Sequence, residues 1–396
     1  MSKKKFLIIS AVFPPEPVVS AKLSYDLALA VSETESVMVI SPIPTRPFGF
    51  KFEDETQDNR FEHYRLNSYT CPESKLFGRL KETYSFGKAT YEFIRENHDS
   101  ISHIYSNTWP LFAQYSAVKA AKEFKIPITI HVQDIYPESL SNKLPFAGGI
   151  LNMMLMPIDR YIFRNTTHIV AISEKMKHYL SESRKVGLDK ISVVANWQDE
   201  NAFIKYQDEN SPGMDRKFTF MYLGNIGPVA GIDLLIESFV DANLKDCMLV
   251  IAGAGAMKET LQKQAATYPD VNIEFWPVPD GKVQEIQGKA DIMLLPMKKG
   301  AASSSIPSKL PAYMFSKKPV IACVDEDSDT ALALKEGVCG WVLPPENVAA
   351  LSECMRKVSG LSAEELLDKG KKGFDYSIRN FSKKSNLQKL IGIIAK

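Results

Sequence analysis

The chain has 396 residues, of which 45% are hydrophobic and 24% charged, a composition typical of a globular protein. This length predicts two domains, and the net charge of +1 argues against a nucleic-acid-binding protein, which would need a basic face. The five cysteines form no CxxC pair, so the sequence predicts neither a zinc site nor a disulfide framework and favours a reducing cytoplasm. No apolar run reaches the roughly 18 residues that a membrane span needs.

The N-terminal half alternates short apolar strands with helices. It begins with the predicted strand KFLIISA, a helix over residues 20–33 and the strand SVMVIS, followed by an irregular insertion over residues 42–75. Helices are then predicted at 79–97, 110–124 and 149–164, and the strands SHIYSN, PITIHV, HIVAIS and ISVVAN lie between or after them. This order predicts a parallel α/β sheet covered by helices on both faces.

The second half repeats the same pattern after a polar segment. Residues 198–217, QDENAFIKYQDENSPGMDRK, predict a linker between a first domain over 1–200 and a second over 217–373. The strands FTFMYL, CMLVIA and ADIMLL are short and rich in Val, Ile and Leu, as strands buried on both faces should be. A final helix within residues 374–396 is expected to pack back on the first domain.

Glycine-bearing turns follow the first two strands of the second half. In parallel α/β sheets, ligands bind at the carboxyl ends of the strands, and glycine lets the backbone approach a ligand closely. The candidate residues of these turns are Gly224, Asn225, Gly227, Gly253 and Gly255. A plain strand-to-helix turn is the alternative for each of them.

A loop bearing serine and lysine precedes a later helix. Ser308 and Lys309 begin that helix directly after Pro307, so a full positive charge adds to the partial charge of a helix end, as a diphosphate requires. The alternative is an ordinary helix start with a solvated lysine. Ser304 and Ser305, in the polar loop before it, are candidates for contact with sugar or phosphate, with a flexible linker as the alternative. The second domain is therefore predicted to bind a phosphorylated nucleotide in a cleft between the two domains.

The order of several segments resembles one known family over nearly the whole chain. In the first half they are FPPEPVVSAKLSYDLA, HVQDIYPESL, THIVAISEKMK and VVANWQD, and in the second YLGNIGPVAGIDLLIESF, VIAGAGAMKETL and SIPSKLPAYMFSKKPVIA. Together they resemble the GT-B glycosyltransferases of retaining family 4, in the branch that transfers amino or deoxy sugars during bacterial O-antigen and capsule assembly. The resemblance implies two Rossmann-like, doubly wound domains that face each other across a cleft, with the acceptor on the first and a nucleotide-sugar donor on the second.

The resemblance also implies roles for individual residues. It suggests a diphosphate site at the turn and loop named above, and a nucleoside site at Gly253, Gly255, Pro277 and Val278. In such enzymes the leaving diphosphate can take the acceptor proton, so little conventional base is needed. Enzymes of the GT-B fold do not use DxD metals, so the resemblance implies neither a metal ion nor another cofactor. The run DEDSD at residues 325–329 has the DxD spacing that binds metal in a different glycosyltransferase fold, and is interpreted here as a solvated loop or a helix cap.

Three residues of the first half are candidates for catalysis. His131 lies on the predicted strand PITIHV, and Asp134 and Glu138 follow it. Each has the chemistry to orient the acceptor hydroxyl or to take its proton. The alternatives are a buried core histidine for His131 and a helix cap for Glu138.

The chain departs from the family pattern at four positions. Asn225 and Ala230 stand where many members have an arginine and a lysine that hold the diphosphate. Ser304 and Ala312 stand in place of the two glutamates of the E-x7-E motif, the second of which usually holds the ribose hydroxyls. A missing carboxylate removes charge-assisted hydrogen bonds worth about 1.5–3 kcal/mol each.

The resemblance therefore implies a cytoplasmic, metal-independent hexosyltransferase, whereas the residues themselves indicate a nucleotide-sugar cleft. It would move an N-acetylated or deoxy sugar, with retention, from a UDP-sugar to a lipid-linked glycan acceptor in surface polysaccharide biosynthesis. The alternatives are a non-catalytic GT-B protein that binds partners in a glycan assembly complex, favoured by Ala230 and Ala312, and a nucleotide-sugar 2-epimerase.

One apolar stretch, residues 144–165, has two interpretations. It is either a core helix broken at Pro157, or a peripheral contact with the inner face of the membrane through Leu151, Met154 and Leu155. The second would suit a lipid-linked acceptor.

Overall fold

The computed structural model describes residues 4–46, 52, 59–73, 76–109, 111–141, 148–210, 216–228, 230–300 and 306–394. The chain divides into two compact units, one formed by Met1–Ala195 with Leu387–Lys396 and the other by Asn196–Asn386. Each unit contains one sheet, and every strand pair in both sheets is parallel.

The first unit is built on a seven-stranded sheet in the order β3-β2-β1-β4-β5-β6-β7. The strand order runs in opposite directions on the two sides of β1, which gives the doubly wound arrangement that the sequence predicted. The elements are β1 Lys5–Ser10, α1 Val19–Ser32, β2 Val37–Pro42, β3 Glu62–Leu66, α2 Leu76–Asn97, β4 Ile101–Asn107, α3 Phe112–Glu123, β5 Ile128–Val132, α4 Glu138–Ser141, α5 Gly148–Asn165, β6 His168–Ala171, α6 Glu174–Arg184 and β7 Ile191–Val193.

The centre of this sheet is buried on both faces. Ile8 of β1 pairs with Val39 of β2 on one side and with Tyr105 of β4 on the other, and all three are buried. Strand β3 lies at the edge of the sheet, within residues 42–75, for which the sequence predicted an irregular insertion. Its sequence, EHYRL, leaves most side chains half-buried or exposed, so it lacks the apolar run that marks the central strands.

The second unit has a six-stranded sheet in the order β10-β9-β8-β11-β12-β13. Here β8 is central, and the strand order again reverses beside it. The elements are α7 Asn201–Glu209, β8 Phe218–Leu223, α8 Ile232–Ala242, β9 Cys247–Ala252, α9 Lys258–Ala265, β10 Ile273–Trp276, α10 Val283–Gly288, β11 Ile292–Pro296, α11 Lys309–Phe315, β12 Val320–Cys323, α12 Asp329–Gly337, β13 Gly340–Leu343, α13 Val348–Ser359 and α14 Ala363–Asn380. The last helix, α15 Lys383–Ile394, begins in this unit and belongs to the first unit from Leu387 onward.

Two segments differ from the sequence-based expectation. Part of the expected linker forms α7, because Phe203 is buried against Phe315 with ring centroids 5.8 Å apart. The return of residues 374–396 to the first unit is restricted to 387–396. The preceding helix α14 stays in the second unit, where Gly373 lies so close to Cys339 that an added Cβ would be 2.9 Å from its Cβ.

Candidate functional site

The carboxyl ends of β8, β9 and β10 are joined by backbone hydrogen bonds beyond the strands themselves. The Gly224 amide donates to the Ala252 carbonyl at 3.0 Å, and the Gly253 amide donates to the Trp276 carbonyl at 3.0 Å. The next turn continues the stack, with the Ile226 amide 2.8 Å from the Ala254 carbonyl. The predicted glycines therefore lie along one edge of the second sheet.

Close backbone packing explains the glycine after β9. Gly253 has a φ of +138°, and an added Cβ would lie 2.1 Å from the Gly224 carbonyl oxygen. Gly255 is equally restricted, since its Cβ would be 2.3 Å from the Ile226 carbonyl oxygen. Only glycine permits this approach, so the edge presents backbone rather than side chains to a ligand.

Lys309 lies directly across Gly224. A Cβ on Gly224 would be 2.0 Å from Lys309 Cε and 3.3 Å from Nζ. The Lys309 ammonium is 5.5 Å from the centroid of the Tyr222 ring. Burial lowers the pKa of Lys309 from its usual value, because the charged form loses hydration. An anion bound at this edge would restore favourable electrostatics for that ammonium.

A buried tyrosine ties the lysine-bearing helix to the same strand end. The Tyr313 hydroxyl donates to the Leu223 carbonyl at 2.7 Å and accepts from the Leu223 amide at 3.1 Å. Tyr313 follows Lys309 by four residues and so lies on the same side of α11. Neither Tyr222 nor Tyr313 was predicted from the sequence. The i, i+4 spacing from Lys309 would have indicated that Tyr313 lies on the same side of the helix.

The remaining donor-side predictions lie at the same edge or outside the described residues. Asn225 is exposed beside the buried Gly227, and Ser308 is exposed directly before α11. Pro277 and Val278 follow β10, the former exposed and the latter half-buried. Ser304 and Ser305 lie outside the part of the chain that the structure describes.

In the first unit, His131 is a buried residue of β5. Its Nδ1 is 2.6 Å from the Tyr105 hydroxyl, while its Nε2 has no hydrogen-bond partner among the described residues. Burial lowers the pKa of His131 to about 4. The imidazole is therefore neutral at physiological pH, which suits hydrogen bonding better than charge stabilisation.

Hydroxyl and amide groups cluster around the ends of β1, β4 and β5. Ser24 Oγ accepts from Ser10 Oγ at 2.8 Å and from Asn107 Nδ2 at 3.0 Å. Ser20 Oγ donates to Gln133 Oε1 at 2.8 Å, which leaves Gln133 Nε2 without a partner among the described residues. Unpaired buried polar groups are costly, so a hydroxyl-rich ligand would stabilise this edge. Sequence reasoning missed this cluster, although small polar residues directly after each strand would have indicated it.

The two predicted carboxylates differ in their surroundings. Asp134 is exposed at the loop after β5. Glu138 begins α4 and is held by Arg184, with Nη1–Oε1 at 2.5 Å and Nη2–Oε2 at 2.7 Å, while Tyr179 donates to it at 2.7 Å. Burial acts to raise the pKa of Glu138, but hydrogen bonds from Arg184 and Tyr179 outweigh it and keep that pKa below its usual value. The carboxylate is ionised and already occupied, which favours a positioning role over proton transfer.

Arg184 itself is fully buried and organises several elements. Its Nε donates to Asp159 Oδ2 at 2.7 Å, and its Nη2 donates to the Tyr136 carbonyl. Burial opposes the charge on Arg184, but the two carboxylates keep its pKa above the usual value. The loop that carries Asp134 is thereby fixed to α5 and α6.

The described residues contain no group of three or more His, Cys, Asp or Glu side chains placed to hold a metal ion. Within the DEDSD run, Asp325 Oδ2 accepts from the Gly300 amide at 2.8 Å. Ser328 caps α12, with its Oγ 3.2 Å from the Ala331 amide. None of the described helices is both long and apolar enough to cross a bilayer.

Comparison with known families gives matches in both halves of the chain. Residues 36–201 match the model described as "Glycosyltransferase Family 4", and residues 205–373 match "Glycosyl transferases group 1". The chain is 21% identical over 269 residues to "Probable glycosyltransferase WbjE" of Pseudomonas aeruginosa, which covers 65% of each chain. It is 25% identical over 193 residues to "Putative colanic acid biosynthesis glycosyl transferase WcaI" of Escherichia coli (strain K12), covering 46% of this chain and 47% of that one. The matches thus span less than two thirds of the length of either relative.

The crystal structure of Alr3699/HepE from Anabaena in complex with UDP is similar over 99% of both chains, with a TM-score of 0.71 and 13% sequence identity. At this identity the likeness shows the fold alone. It confirms the expected α/β architecture, two Rossmann-like domains of the GT-B type.

Proposed function

We propose that this chain, which belongs to the glycosyltransferases of the GT-B fold, transfers a sugar from a UDP-sugar to a lipid-linked glycan in the assembly of a bacterial surface polysaccharide. One observation carries the proposal above all. The Lys309 side chain lies against Gly224, at the sheet edge where backbone hydrogen bonds join the segments that follow β8, β9 and β10.

The donor side of the proposal follows from charge and space. A nucleoside diphosphate needs positive charge at the diphosphate and close backbone approach along the nucleotide. Lys309 supplies the charge, and Gly224, Gly253 and Gly255 supply the approach. The UDP in the Anabaena relative supports uridine as the base, and the family resemblance supports an N-acetylated or deoxy sugar.

The acceptor side of the proposal uses the first unit. Ser10, Ser24, Asn107 and Gln133 offer uncharged hydrogen-bonding groups at the end of its sheet, as glycan hydroxyls require. The neutral His131 adds an Nε2 without a partner among the described residues. The polysaccharide-related name of the Escherichia coli relative supports a growing surface glycan as acceptor, and its lipid anchor would keep the enzyme at the inner face of the membrane.

The proposed reaction proceeds with retention and without a metal ion. The acceptor oxygen forms a bond to the anomeric carbon on the face from which the diphosphate leaves, and the bond from that carbon to the diphosphate oxygen breaks. The hydroxyl proton passes to the departing diphosphate, so no protein base is required. Lys309 stabilises the charge that develops on the diphosphate, and His131 and Asp134 orient the acceptor hydroxyl.

A non-catalytic role is the second candidate, because Ala312 replaces the carboxylate that would hold the ribose. Ala312 is 5% exposed within α11, so it offers no polar group to a nucleotide. A protein of this kind would bind glycans or partners without turnover.

Calorimetry with UDP tests the donor site. The chain should bind UDP, and Lys309→Ala should weaken binding roughly 10- to 150-fold, the equivalent of one charge-assisted contact. Lys371→Ala, which removes an exposed lysine on α14, is the matched control and should leave binding unchanged.

Turnover tests the reaction. Incubation with UDP-sugars and a lipid-linked acceptor should release UDP and give a product with the donor's anomeric configuration, detectable by NMR, and chelation of divalent ions should leave the rate unchanged. UDP binding without transfer would favour the non-catalytic role, and an altered but untransferred sugar would favour an epimerase. Absence of any nucleotide binding would refute the donor site.

A further inference from the structure

The most exposed large apolar side chains of the described residues concentrate on two helices of the first unit. Phe77 is 84% exposed and Tyr84 62% on α2, and Ile150, Met153 and Met154 are 63–71% exposed on α5. Among the described residues, one other large apolar side chain exceeds 60% exposure, Leu367 on α14. A concentration of this kind indicates an interaction surface rather than chance exposure.

The two helices border the same buried cluster. Leu80 of α2 and Leu151 of α5 both pack against a cluster that contains Leu155. Phe77 and Tyr84 flank Leu80 at helical spacing, so they lie on the side of α2 that borders this cluster. We call the exposed residues Phe77, Tyr84, Ile150, Met153 and Met154 the α2–α5 surface.

The structure corrects the expectation that Leu151, Met154 and Leu155 of α5 all face a membrane. Leu155 is 9% exposed and Leu151 is half-buried, because both face the buried cluster. Only Met154 of the three expected contacts is exposed. Helix α5 continues through Pro157, which lies on its exposed face.

Positive charge extends the exposed face of α5. Arg160 and Arg164 are exposed and follow Met153 and Pro157 at helical spacing, and no ion pair joins either arginine to another described residue. The only acidic residue of α5 is Asp159, which is buried against Arg184.

The first four turns of α2 also lack an exposed carboxylate. The only acidic side chain there, Glu82, is 1% exposed and pairs with Arg46 and Arg79, whereas Lys81 and Lys88 are exposed, the latter 3.9 Å from Glu92 in the next turn. The surface is therefore apolar and basic, without an exposed carboxylate on these parts of the two helices.

We propose that the α2–α5 surface docks on a lipid bilayer that contains anionic headgroups. The apolar side chains enter the boundary between headgroups and acyl chains, and Arg160 and Arg164 contact the anionic headgroups. The inference deepens the proposed function and rests on it for the lipid-linked acceptor, which must be met at a bilayer. The vesicle measurement itself is independent of turnover.

Flotation of the full chain with vesicles tests the docking. The chain should float with phosphatidylcholine vesicles that contain phosphatidylglycerol, and less with phosphatidylcholine alone. The double substitution Met153→Ser and Met154→Ser should weaken partitioning roughly tenfold or more, because less apolar area is buried. Leu367→Ser removes an equally exposed side chain elsewhere and should change nothing.

Charge is tested separately. Arg160→Gln with Arg164→Gln should weaken binding to anionic vesicles roughly 20-fold, and added salt should reduce wild-type binding toward the level of this variant. Lys263→Gln with Lys371→Gln removes the same charge from exposed positions of the second unit and should bind as wild type. Thermal unfolding should be the same for all variants, since every substituted side chain is exposed.

Several results would overturn the docking surface. They are the absence of wild-type binding to anionic vesicles, equal losses in the control variants, and light scattering that shows a dimer which dissociates on Met153→Ser and Met154→Ser. The last would assign the surface to a second copy of the chain. The methionine variant should still bind UDP, and Lys309→Ala should still bind vesicles, so failure of the surface and failure of the donor site are distinguishable.

Discussion

Replacing Gly224 with alanine should displace the Lys309 side chain without unfolding the protein. The added Cβ would lie 2.0 Å from Lys309 Cε and 2.9 Å from Cδ, whereas carbon atoms in contact are about 3.5–4.0 Å apart. Gly224 does not adopt the left-handed backbone, so alanine is compatible with its conformation. The lysine stem must therefore move by roughly 1.5–2 Å, since it is the flexible partner of this contact.

The expected loss in UDP affinity follows from the ammonium that moves with the stem. A charge-assisted contact is worth about 1.5–3 kcal/mol, so the dissociation constant for UDP should rise roughly 10- to 150-fold. The free energy of unfolding should change by less than about 1 kcal/mol, because alanine lowers the entropy of the unfolded chain while the clash is relieved by a side chain.

Calorimetry on four proteins decides whether the effect passes through the lysine. They are the wild type, Gly224→Ala, Lys309→Ala and the double variant. If Gly224→Ala acts only by displacing Lys309, the double variant should bind UDP as Lys309→Ala does, with no further loss. Gly360→Ala is the matched control in the same unit, since its Cβ would meet no atom nearer than 3.7 Å.

Two results would refute this reasoning. Wild-type affinity in Gly224→Ala would mean that the Lys309 ammonium does not contact the diphosphate. Additive losses in the double variant would mean that the Gly224 backbone contacts the nucleotide independently of the lysine.

Three further predictions concern stability, acid and the nucleotide. Arg184→Leu should lower the free energy of unfolding in chemical denaturation by about 3–5 kcal/mol, because it leaves buried carboxylates without their partner; adding Asp159→Asn should restore part of this. Lowering the pH from about 7.5 to about 5.5 should destabilise the first unit, which contains all six histidines. Burial holds the folded pKa of His131 at about 4, below the unfolded value of about 6.5, so the unfolded chain binds more protons and this residue lowers the stability by roughly 1 kcal/mol. In calorimetry the transition that UDP does not shift should therefore move most, and equal shifts of both transitions would contradict this. Finally, uridine should fail to displace UDP if, as proposed, Lys309 holds the diphosphate while Ala312 offers the ribose no hydrogen bond; competition by uridine as strong as by unlabelled UDP would show otherwise.

The central strands of both sheets were predictable from the sequence, but some peripheral elements were not. Strands buried on both faces leave long apolar runs, as in KFLIIS of β1 and FTFMYL of β8. The edge strand β3 leaves no such run, since its residues EHYRL face solvent in part. Helix α7 has the composition of a polar linker, because its order depends on tertiary contacts, such as that between Phe203 and Phe315, which no local pattern reveals.

The candidate site divides in the same way. The glycines at 253 and 255 were predictable because the close backbone packing after β9 excludes a side chain there, and Lys309 because it begins a helix shortly after Pro307. The engagement of Glu138 by Arg184 was not, because the two residues are 46 positions apart and α6 gives no sign of which element it packs against. Contacts between side chains that are far apart in the sequence cannot be predicted from local residue spacing.

The carboxyl ends of the two sheets carry different chemical groups. This difference supports the proposal that the second unit binds the donor and the first unit binds the acceptor. The edge of the second unit has a desolvated cation, Lys309, which attracts an anion more strongly than a solvated lysine would. The edge of the first unit has a neutral His131 and several hydroxyl and amide groups. Uncharged groups in a buried setting discriminate by hydrogen-bond geometry, because an unmatched partner leaves a buried polar atom unpaired. The charged edge therefore suits the diphosphate that all such donors share, and the uncharged edge suits the part of the substrates that differs from one glycan to another.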